Sequence, residues 1–317
     1  MLRMIVSLLL ISFLAFIGYL FYPIFIVTGK PLLIVNMWNE PELPKNFRMS
    51  TDPLPLSSSN QPSQEGLKVL KASGSAQFSQ GGLQAILQKI PSENVTIVDL
   101  RQESHGFING IAVSWYTERD WVNKGKTSEE VIKDENQRLQ QLLQSYVAIV
   151  YASKKFPVPL WVKDVKSEEE LTTSHGLGYI RIPITDHLKP ANQDVDTFIN
   201  FIKAIPKNAL WLHFHCAAGE GRTTTFLVMY DMMRNAKHVP IEDIYQRQYL
   251  LGGLNFLNEK ANDWKKPYAE ERKDFLDQFY LYCQQNPQFQ KNWTSWLAEN
   301  KKKIGFSNTT KTQEIRK

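Results

Sequence analysis

The sequence of 317 residues contains only two cysteines, Cys216 and Cys283, too few for a scaffold of disulfide bridges. It has no internal repeat with a period of roughly 20–50 residues, which argues against a solenoid or a propeller. It also lacks the Gly-Lys-Ser/Thr ending of a Walker loop, the ligand spacing of a zinc site and a stripe of basic and aromatic residues. We therefore expect no metal, no cofactor and no nucleic-acid partner.

The overall composition is that of an ordinary globular protein. Charged residues make up 22% of the chain and hydrophobic residues 43%. The formal net charge of +5 suits an anionic ligand, although many proteins without such a ligand have the same balance. The length fits one large domain or two small ones.

A long apolar run extends from Ile5 to Val27 and follows the positively charged Arg3. It is long enough to span a bilayer, and its positive flank favours export of the chain that follows. Because Pro23 interrupts the run and no clear small-x-small site follows it, cleavage is left open. A buried core helix is the alternative. The sequence predicts a signal peptide or membrane anchor over residues 1–30, and a periplasmic, secreted or membrane-anchored protein whose remainder lies outside the cytoplasm.

The rest of the chain divides into three parts. Residues 31–66 are rich in Pro, Ser and Asn, which is typical of an irregular surface lead-in. Residues 67–300 alternate between the periodicities of strands and helices, which indicates an α/β domain with its central sheet covered on both faces. The lysine-rich residues 301–317 are predicted to be disordered.

Apolar patterns predict the individual elements of this domain. Strands are predicted at Val95–Leu100, Ile111–Tyr116, Tyr179–Thr185 and Ala209–His215. Thr127 and Glu130 form a capping box, after which apolar residues at helical spacing continue to Val150. Further helices are predicted at Asn192–Ile205, Thr223–Asn235, Pro240–Leu251 and Pro267–Gln285.

The segment LHFHCAAGEGRTTTF (Leu212–Phe226) joins a predicted strand to a predicted helix. Gly219 and Gly221 allow the backbone to wrap so that successive N–H groups point inward as an anion-binding nest. The helix adds the positive end of its dipole, and Arg222 offers a planar fork that matches two phosphate oxygens. The segment therefore indicates a phosphate-binding loop, and we expect substrate contacts at Ala217, Ala218, Gly219, Glu220 and Gly221.

Cys216 lies at the base of this predicted nest, where the donors that hold a phosphate also stabilise a thiolate. A thiolate aimed at phosphorus is a competent nucleophile, and its attack forms a phosphocysteine intermediate. Thr223 can donate a hydrogen bond to the sulfur and help it leave. The hypothesis requires Cys216 to be free, because a bridge to Cys283 would remove the nucleophile. The alternative is a buried structural cysteine near a turn.

The segment HCAAGEGRTTTF (His215–Phe226) resembles the loop of protein-tyrosine-phosphatase-like phytases, cysteine phosphatases that dephosphorylate inositol phosphates. Other segments resemble that family in the same order, over most of the chain from Leu43 to Cys283. The resemblance implies a protein-tyrosine-phosphatase-like sheet flanked by helices. The matching segments are LPKNFR (Leu43–Arg48), ASGSAQFS (Ala72–Ser79), VDLRQESHGFINGIAVSWY (Val98–Tyr116) and YIRIPITDH (Tyr179–His187).

The same resemblance implies individual roles. Asp186 would be the general acid that protonates the leaving alkoxide and later activates water, although an Asp after a strand is as often a turn residue. His187 would contact substrate phosphate or orient its loop, and Arg48 would bind a peripheral phosphate. The expected catalytic set is Cys216, Arg222, Asp186, Thr223 and His215.

Further charged residues are weaker candidates, because each alone is more often a solvated charge. Lys189, Lys265, Lys266 and Arg272 are candidates for a basic rim around a polyanionic substrate. A second cluster follows a predicted strand, and there a network of salt bridges is as expected as ligand contact. Its members are Asp99, Arg101, Glu103 and His105.

Two positions depart from the family pattern. Ala217 stands where Glu is common, and Glu220 replaces a small apolar residue next to the expected anion. The reaction class is unaffected, but the substrate preference is left open. We expect hydrolysis of inositol polyphosphates such as phytate. The alternatives are a protein tyrosine or dual-specificity phosphatase, a phosphoinositide phosphatase and, third, a non-catalytic phosphate-binding protein.

Overall fold

The computed structural model describes residues 7, 9–16, 30–55, 61–206, 210–262 and 264–300. Strands and helices alternate along this part of the chain, so the predicted α/β class is confirmed. The strands are β1 (Leu32–Met37), β2 (Arg48–Met49), β3 (Ala72–Ser75), β4 (Val95–Arg101), β5 (His105–Ile108), β6 (Ile111–Tyr116), β7 (Val147–Ala152), β8 (Phe156–Trp161), β9 (Val165–Lys166), β10 (Gly178–Ile184) and β11 (Trp211–His215).

Helices cover these strands. They are α1 (Gln80–Lys89), α2 (Ser128–Leu143), α3 (Glu168–Ser174), α4 (Asn192–Ala204), α5 (Gly221–Asn235), α6 (Ile241–Leu250) and α7 (Lys266–Gln285), with further helical residues at 9–16 and 293–300. The capping box predicted at Thr127 is present and begins α2, since Thr127 accepts from the backbone of Glu130 and Glu130 accepts in return.

The predicted course of α2 is wrong at its end. The helix stops at Leu143, and the chain then forms strand β7 at Val147–Ala152. Tyr146 is 88% exposed, so it is no part of an apolar helical stripe. The run of β-branched and aromatic residues in β7 favours a strand, and pairing with β8 and β1 satisfies its backbone.

One sheet has five strands in the order β10-β4-β11-β3-β2. Strands β10, β4, β11 and β3 are parallel, and β2 is antiparallel to β3. Parallel neighbours end at the same edge of a sheet, which is where ligands bind in open α/β sheets. Glu103, Asp186 and Cys216 follow the ends of β4, β10 and β11 within two residues, so this topology brings them to one edge.

The second sheet has six strands in the order β8-β7-β1-β6-β5-β9. Its strand β8 forms an edge and contains Pro157 and Pro159, residues that reduce pairing with a further strand. Strands β1 and β2 lie in the segment predicted as an irregular lead-in, and β2 belongs to the five-stranded sheet.

Apolar residues pack on both faces of the five-stranded sheet. On one face Ile182 and Phe214 pack in a cluster with Phe198 of α4 and Phe226 of α5. On the other face Ile97 and Trp211 pack with Phe78, Leu83, Phe107 and Ala112 of the surrounding elements. The sheet is therefore covered on both sides, and its strand ends are held rigidly by the core.

The apolar run from Ile5 to Val27 lies largely outside the described residues. Within it, residues 9–16 are helical and exposed. In the part of the chain that the structure describes, no helix combines the length and apolar character needed to cross a membrane. Residues 301–317 also lie outside the described ranges, and the predicted domain boundaries remain predictions.

Candidate active site

The loop from Cys216 to Arg222 connects β11 to α5, as the sequence predicts. Strand β11 lies between β4 and β3, so the backbone entering the loop is fixed on both sides. Cys216 and Cys283 are both buried and free, which meets the requirement for a nucleophilic Cys216. Burial raises the pKa of the Cys283 thiol well above its usual range, so that residue is an inert part of the core.

The backbone carbonyls of the loop point outward. The oxygen of Ala217 accepts from the N–H of Gln77, and that of Ala218 accepts from the side chain of Asn46 at 2.8 Å. The oxygen of Gly219 accepts from Arg48 Nη1 at 2.9 Å. Because these peptide groups are held from outside, their opposite ends are directed into the loop, as an anion-binding nest requires.

The sulfur of Cys216 already has two donors within the protein. The Gly219 N–H donates to Sγ at 3.3 Å, and the Thr223 hydroxyl donates to it at 3.2 Å. Both are groups that hydrogen-bond an anion more strongly than a neutral thiol. The arrangement predicted for Thr223 is therefore present in the geometry.

Of the two loop glycines, Gly219 has the special conformation. Its φ is +74°, and a Cβ there would lie 2.3 Å from the backbone nitrogen of Ala76. Gly221 lacks a positive φ, and a Cβ on it would meet Arg272 Nη1 at an ordinary 3.6 Å. The predicted need for backbone freedom thus holds for Gly219 and is wrong for Gly221, which begins α5.

Arg222 is held by carboxylates on two sides. Its Nη1 and Nη2 donate to the two oxygens of Glu103 at 2.7 and 2.9 Å, and its Nε lies 3.1 Å from Asp186 Oδ1. Burial disfavours the charged guanidinium, but the carboxylates of Asp186 and Glu103 outweigh this and raise the pKa of Arg222 well above its usual range. The cation is therefore fixed in position beside Cys216 before any ligand binds.

Asp186 lies in a short turn after β10. The Leu188 N–H donates to the Thr185 oxygen, and Trp121 Nε1 donates to the backbone oxygen of Asp186 at 2.9 Å. The Asp186 carboxylate is about one-fifth exposed, with Oδ2 at 3.1 Å from His187 Nε2. The predicted acid thus lines the same cavity as the sulfur.

His187 completes this turn in a left-handed conformation, with φ of +68°. Its ring packs edge-on against Trp264 at 4.9 Å, and its backbone oxygen accepts from Arg272 at 3.4 Å. Burial lowers the pKa of His187, and the Asp186 carboxylate opposes that shift only in part. A neutral imidazole beside Asp186 is suited to hydrogen bonding.

Arg48 lies under the loop and is buried. Its Nη1 donates to Gly219 and its Nη2 donates to Thr224 at 3.0 Å, so both terminal nitrogens bind the loop and the start of α5. The geometry gives Arg48 a bracing position in place of the peripheral phosphate contact that the family pattern implies. Burial lowers its pKa to about 10, opposed by the nearby Cys216 and Glu220.

Of the two alternatives left open for Asp99, Arg101, Glu103 and His105, a network of salt bridges is present below the loop. Asp99, His105 and Glu168 are all buried, and side-chain nitrogen and oxygen atoms of the three lie within 4.8 Å of one another. Arg181 also pairs with Asp99 at 3.2 Å, and with Glu135 at 2.6 Å. Burial opposes protonation of His105, but Asp99 and Glu135 outweigh it and raise its pKa to about 9. The protonated imidazole therefore supplies the cation that these carboxylates require.

His215 lies in this buried layer, with Nε2 paired to Glu168 and its Nδ1 without a hydrogen-bond partner among the described residues. The catalytic role predicted for His215 remains a prediction. Arg101 belongs to the same buried layer and donates to Glu103 at 2.8 Å. Because Glu103 also holds Arg222, Arg101 connects the buried layer to the loop.

The floor of the site is the loop Cys216–Arg222 with its buried partners Glu103 and Arg48. A cavity of about 430 Å³ lies above Cys216. The mouth is the set of described residues that line this cavity opposite the loop. The mouth consists of Leu254, Glu259, Lys260, Ala261, Asn262, Lys265 and Arg272.

The predicted basic rim is only partly brought together. Lys265 and Arg272 line the cavity above Cys216. Lys189 lines a separate cavity behind the Asp186 turn, and Lys266 is an exposed residue at the start of α7. Two further residues of the site were not predicted: Trp121, which holds Asp186, and Glu259, which pairs with Arg272 at 2.6 Å. No spacing signal in the sequence marks either contact.

Comparison with known proteins agrees with this geometry. The model of the family PTPlike_phytase, described by the term inositol hexakisphosphate, matches residues 98–234. A PTP-like phytase from Bdellovibrio bacteriovorus is 34% identical in sequence, with a TM-score of 0.70 over 84% of this chain and 95% of that one.

Two further relatives are longer than this chain. The PTP-like myo-inositol phosphatase from Mitsuokella multacida, solved with myo-inositol-(1,3,4,5)-tetrakisphosphate, is 37% identical, with a TM-score of 0.82 over 86% of this chain and 48% of that one. The effector protein hopD2 of Pseudomonas syringae pv. tomato is 30% identical over 74% of this chain and 53% of its own length. The chain thus spans about half the length of each.

The fold and the loop place the chain in the structural class of the cysteine-dependent phosphatases. Within that class, the chain belongs to the family of PTP-like phytases, since it covers nearly all of the Bdellovibrio structure at 34% identity.

Proposed function

We propose that the chain hydrolyses phosphate monoesters of inositol polyphosphates through a phosphocysteine intermediate. The observation that carries the proposal is the sulfur of Cys216, which accepts from Gly219 and Thr223 in a loop closed by Arg222. A sulfur in such a cup is suited to attack a phosphorus atom whose oxygens the amides and guanidinium hold.

In the first step, the thiolate attacks phosphorus and forms the P–S bond while the P–O bond to the inositol carbon breaks. Asp186 gives its proton to the leaving oxygen, so the alcohol departs neutral. The Nε of Arg222 makes no hydrogen bond among the described residues and can donate to the phosphoryl oxygens as charge accumulates on them, while Glu103 holds the Nη atoms.

In the second step, the Asp186 carboxylate takes a proton from water as that water attacks phosphorus. The P–S bond breaks, inorganic phosphate forms and the thiolate returns. The hydroxyl of Thr223, 3.2 Å from the sulfur, stabilises the leaving thiolate. Each group therefore returns to its starting protonation state after one turnover.

The substrate class is supported by the cations of the mouth and by the relatives. Lys260, Lys265 and Arg272 line the cavity that contains the sulfur. The Mitsuokella protein of similar structure was solved with an inositol tetrakisphosphate. These observations favour a small polyanion, and we propose the same class of ligand for this chain.

Phosphate release from three substrates tests the proposal: inositol hexakisphosphate, a phosphotyrosine peptide and phosphoinositide vesicles, each with and without a chelator. We expect the highest kcat/KM with inositol hexakisphosphate and no effect of the chelator, because protein groups supply nucleophile, acid and charge stabilisation. Cys216→Ser should lower turnover by roughly 10⁴-fold or more, whereas Cys283→Ala should keep it. Preference for the peptide or the vesicles would overturn the substrate class.

We also propose that the apolar N-terminal run directs export or anchors the chain. Its length and positive flank support this proposal. Fusion of residues 1–30 to a reporter active only outside the cytoplasm should give signal, and replacing Leu9, Ile11 and Leu14 by Asp should abolish it. An active reporter after that replacement would refute the proposal.

A further inference from the structure

Arg272 is the most enclosed cation of the mouth. Its side chain is 7% exposed, and its Nη1 would lie 3.6 Å from a Cβ placed on Gly221. Gly221 directly precedes Arg222, so the Arg272 guanidinium stands next to the phosphate-binding loop. Its Nε is buried and has no hydrogen-bond partner among the described residues. A buried guanidinium with an unused donor indicates capacity for a further anionic ligand.

Glu259 already neutralises this cation. Its Oε1 accepts from Arg272 Nη2 at 2.6 Å, and both side chains line the cavity above Cys216. Phosphate and carboxylate oxygens bind the same N–H edges of a guanidinium. A second phosphate of a bound substrate would therefore compete with Glu259 for Arg272.

Carboxylates offset part of the positive charge of the cavity. Besides Asp186, the proposed proton donor, Glu220 and Glu259 line it against three cations, those of Lys260, Lys265 and Arg272. Glu220 is exposed on the loop, within 3.5 Å of Asn46 Nδ2. Cations that are partly neutralised in this way attract a dense polyanion less strongly than a purely basic set.

We propose that Glu259 is a specificity-determining residue that occupies the position of a second substrate phosphate. This inference rests on the proposed function and deepens it. Glu259 weakens the binding of substrates that place a second phosphate against Arg272, because that phosphate competes with the carboxylate for the guanidinium. The residue thereby sets how strongly a second phosphate contributes to substrate binding.

Binding of two non-hydrolysable anions, measured by calorimetry at fixed ionic strength, tests this inference without requiring turnover. The probes are inositol hexakissulfate, with a neighbour at every ring position, and inorganic sulfate, with none. Glu259→Gln should tighten hexakissulfate binding by about tenfold and change sulfate binding less than about twofold. Glu270→Gln removes an exposed carboxylate from the same region in α7 and should leave both affinities unchanged.

Glu259→Gln in an Arg272→Gln background distinguishes an effect of the Glu259–Arg272 pair from an effect of the net charge of the cavity. If Glu259 acts through Arg272, Glu259→Gln should change hexakissulfate binding less than about twofold there. Equal tightening in both backgrounds, or none in either, overturns the inference. The proposed function fails separately, if inositol hexakisphosphate is not hydrolysed although hexakissulfate binding tightens as expected.

Discussion

The floor and the mouth of the site are built differently. In the floor, Glu103 and Arg222 are 0% and 2% exposed, and they bind each other through two hydrogen bonds. In the mouth, Glu259 and Arg272 are 17% and 7% exposed and share one. The floor belongs to the sheet edge and the core helix α5, whereas most of the mouth comes from the irregular segment between α6 and α7.

This difference suggests separate roles, with the floor serving the proposed reaction and the mouth serving the choice of substrate. The floor is held by partners inside the protein, so its geometry is complete before a substrate arrives. The mouth holds charges that neutralise one another near solvent, where an incoming anion can exchange with a carboxylate. Substitutions in the floor should therefore affect all substrates equally, and substitutions in the mouth should distinguish between substrates.

Loss of the Glu103 charge should have the largest effect. Glu103→Gln places an amide donor against the guanidinium of Arg222, and the fork then loses its orientation. We expect kcat/KM to fall by about 10²–10³-fold for p-nitrophenyl phosphate and for inositol hexakisphosphate alike. Thermal unfolding should confirm a folded variant, and Glu118→Gln, at an exposed glutamate, serves as the control. A loss confined to one substrate would contradict the expectation that substitutions in the floor affect all substrates equally.

The buried layer around His105, below the floor, should make the free energy of unfolding depend on pH. The folded-state pKa of His105 is raised to about 9, against roughly 6.5 when unfolded. The stabilisation is therefore complete below about pH 6.5 and is lost as the pH rises through 9, by roughly 3 kcal/mol. Urea unfolding from pH 6 to 10 should show this decline in wild type and a flatter profile in His105→Gln. Equal slopes would contradict the assignment.

Removal of one mouth cation should have the smallest effect. Lys265→Gln should raise the KM for inositol hexakisphosphate by about three- to fivefold, leave kcat within about twofold, and spare p-nitrophenyl phosphate. Lys266→Gln is the matched control, because that neighbouring lysine is exposed and does not line the cavity. An equal response to both substitutions would mean that the mouth acts only through net charge.

The sequence predicts the floor far better than the mouth. Local signals define a strand, a glycine turn and a helix around Cys216, and the structure has β11, the loop and α5 there. The pairing of Arg222 with Glu103 spans 119 residues, and no local pattern records it. It follows from the parallel order of β4 and β11, a tertiary property.

Elements without a clear period were missed. Strand β8 contains Pro157 and Pro159, which argue against a strand except at a sheet edge, and that is where it lies. Strand β1 was missed because its short apolar run, Leu32–Met37, opens a segment whose Pro-, Ser- and Asn-rich composition indicated irregular structure. In the mouth, lysines are abundant in the sequence, and only the fold decides that Lys265 lines the cavity while Lys266 does not.

The conformation of Gly219 limits how this site can be redesigned. Any side chain there would collide with the strand-end backbone at Ala76, so the curvature of the loop is not open to engineering. Ala218 and Glu220 are exposed, and Ala217 is half-buried, so these three positions accept new chemistry without rebuilding the cup. A library that varies them would change the chemistry of the anion-binding cup while the backbone of the loop stays the same.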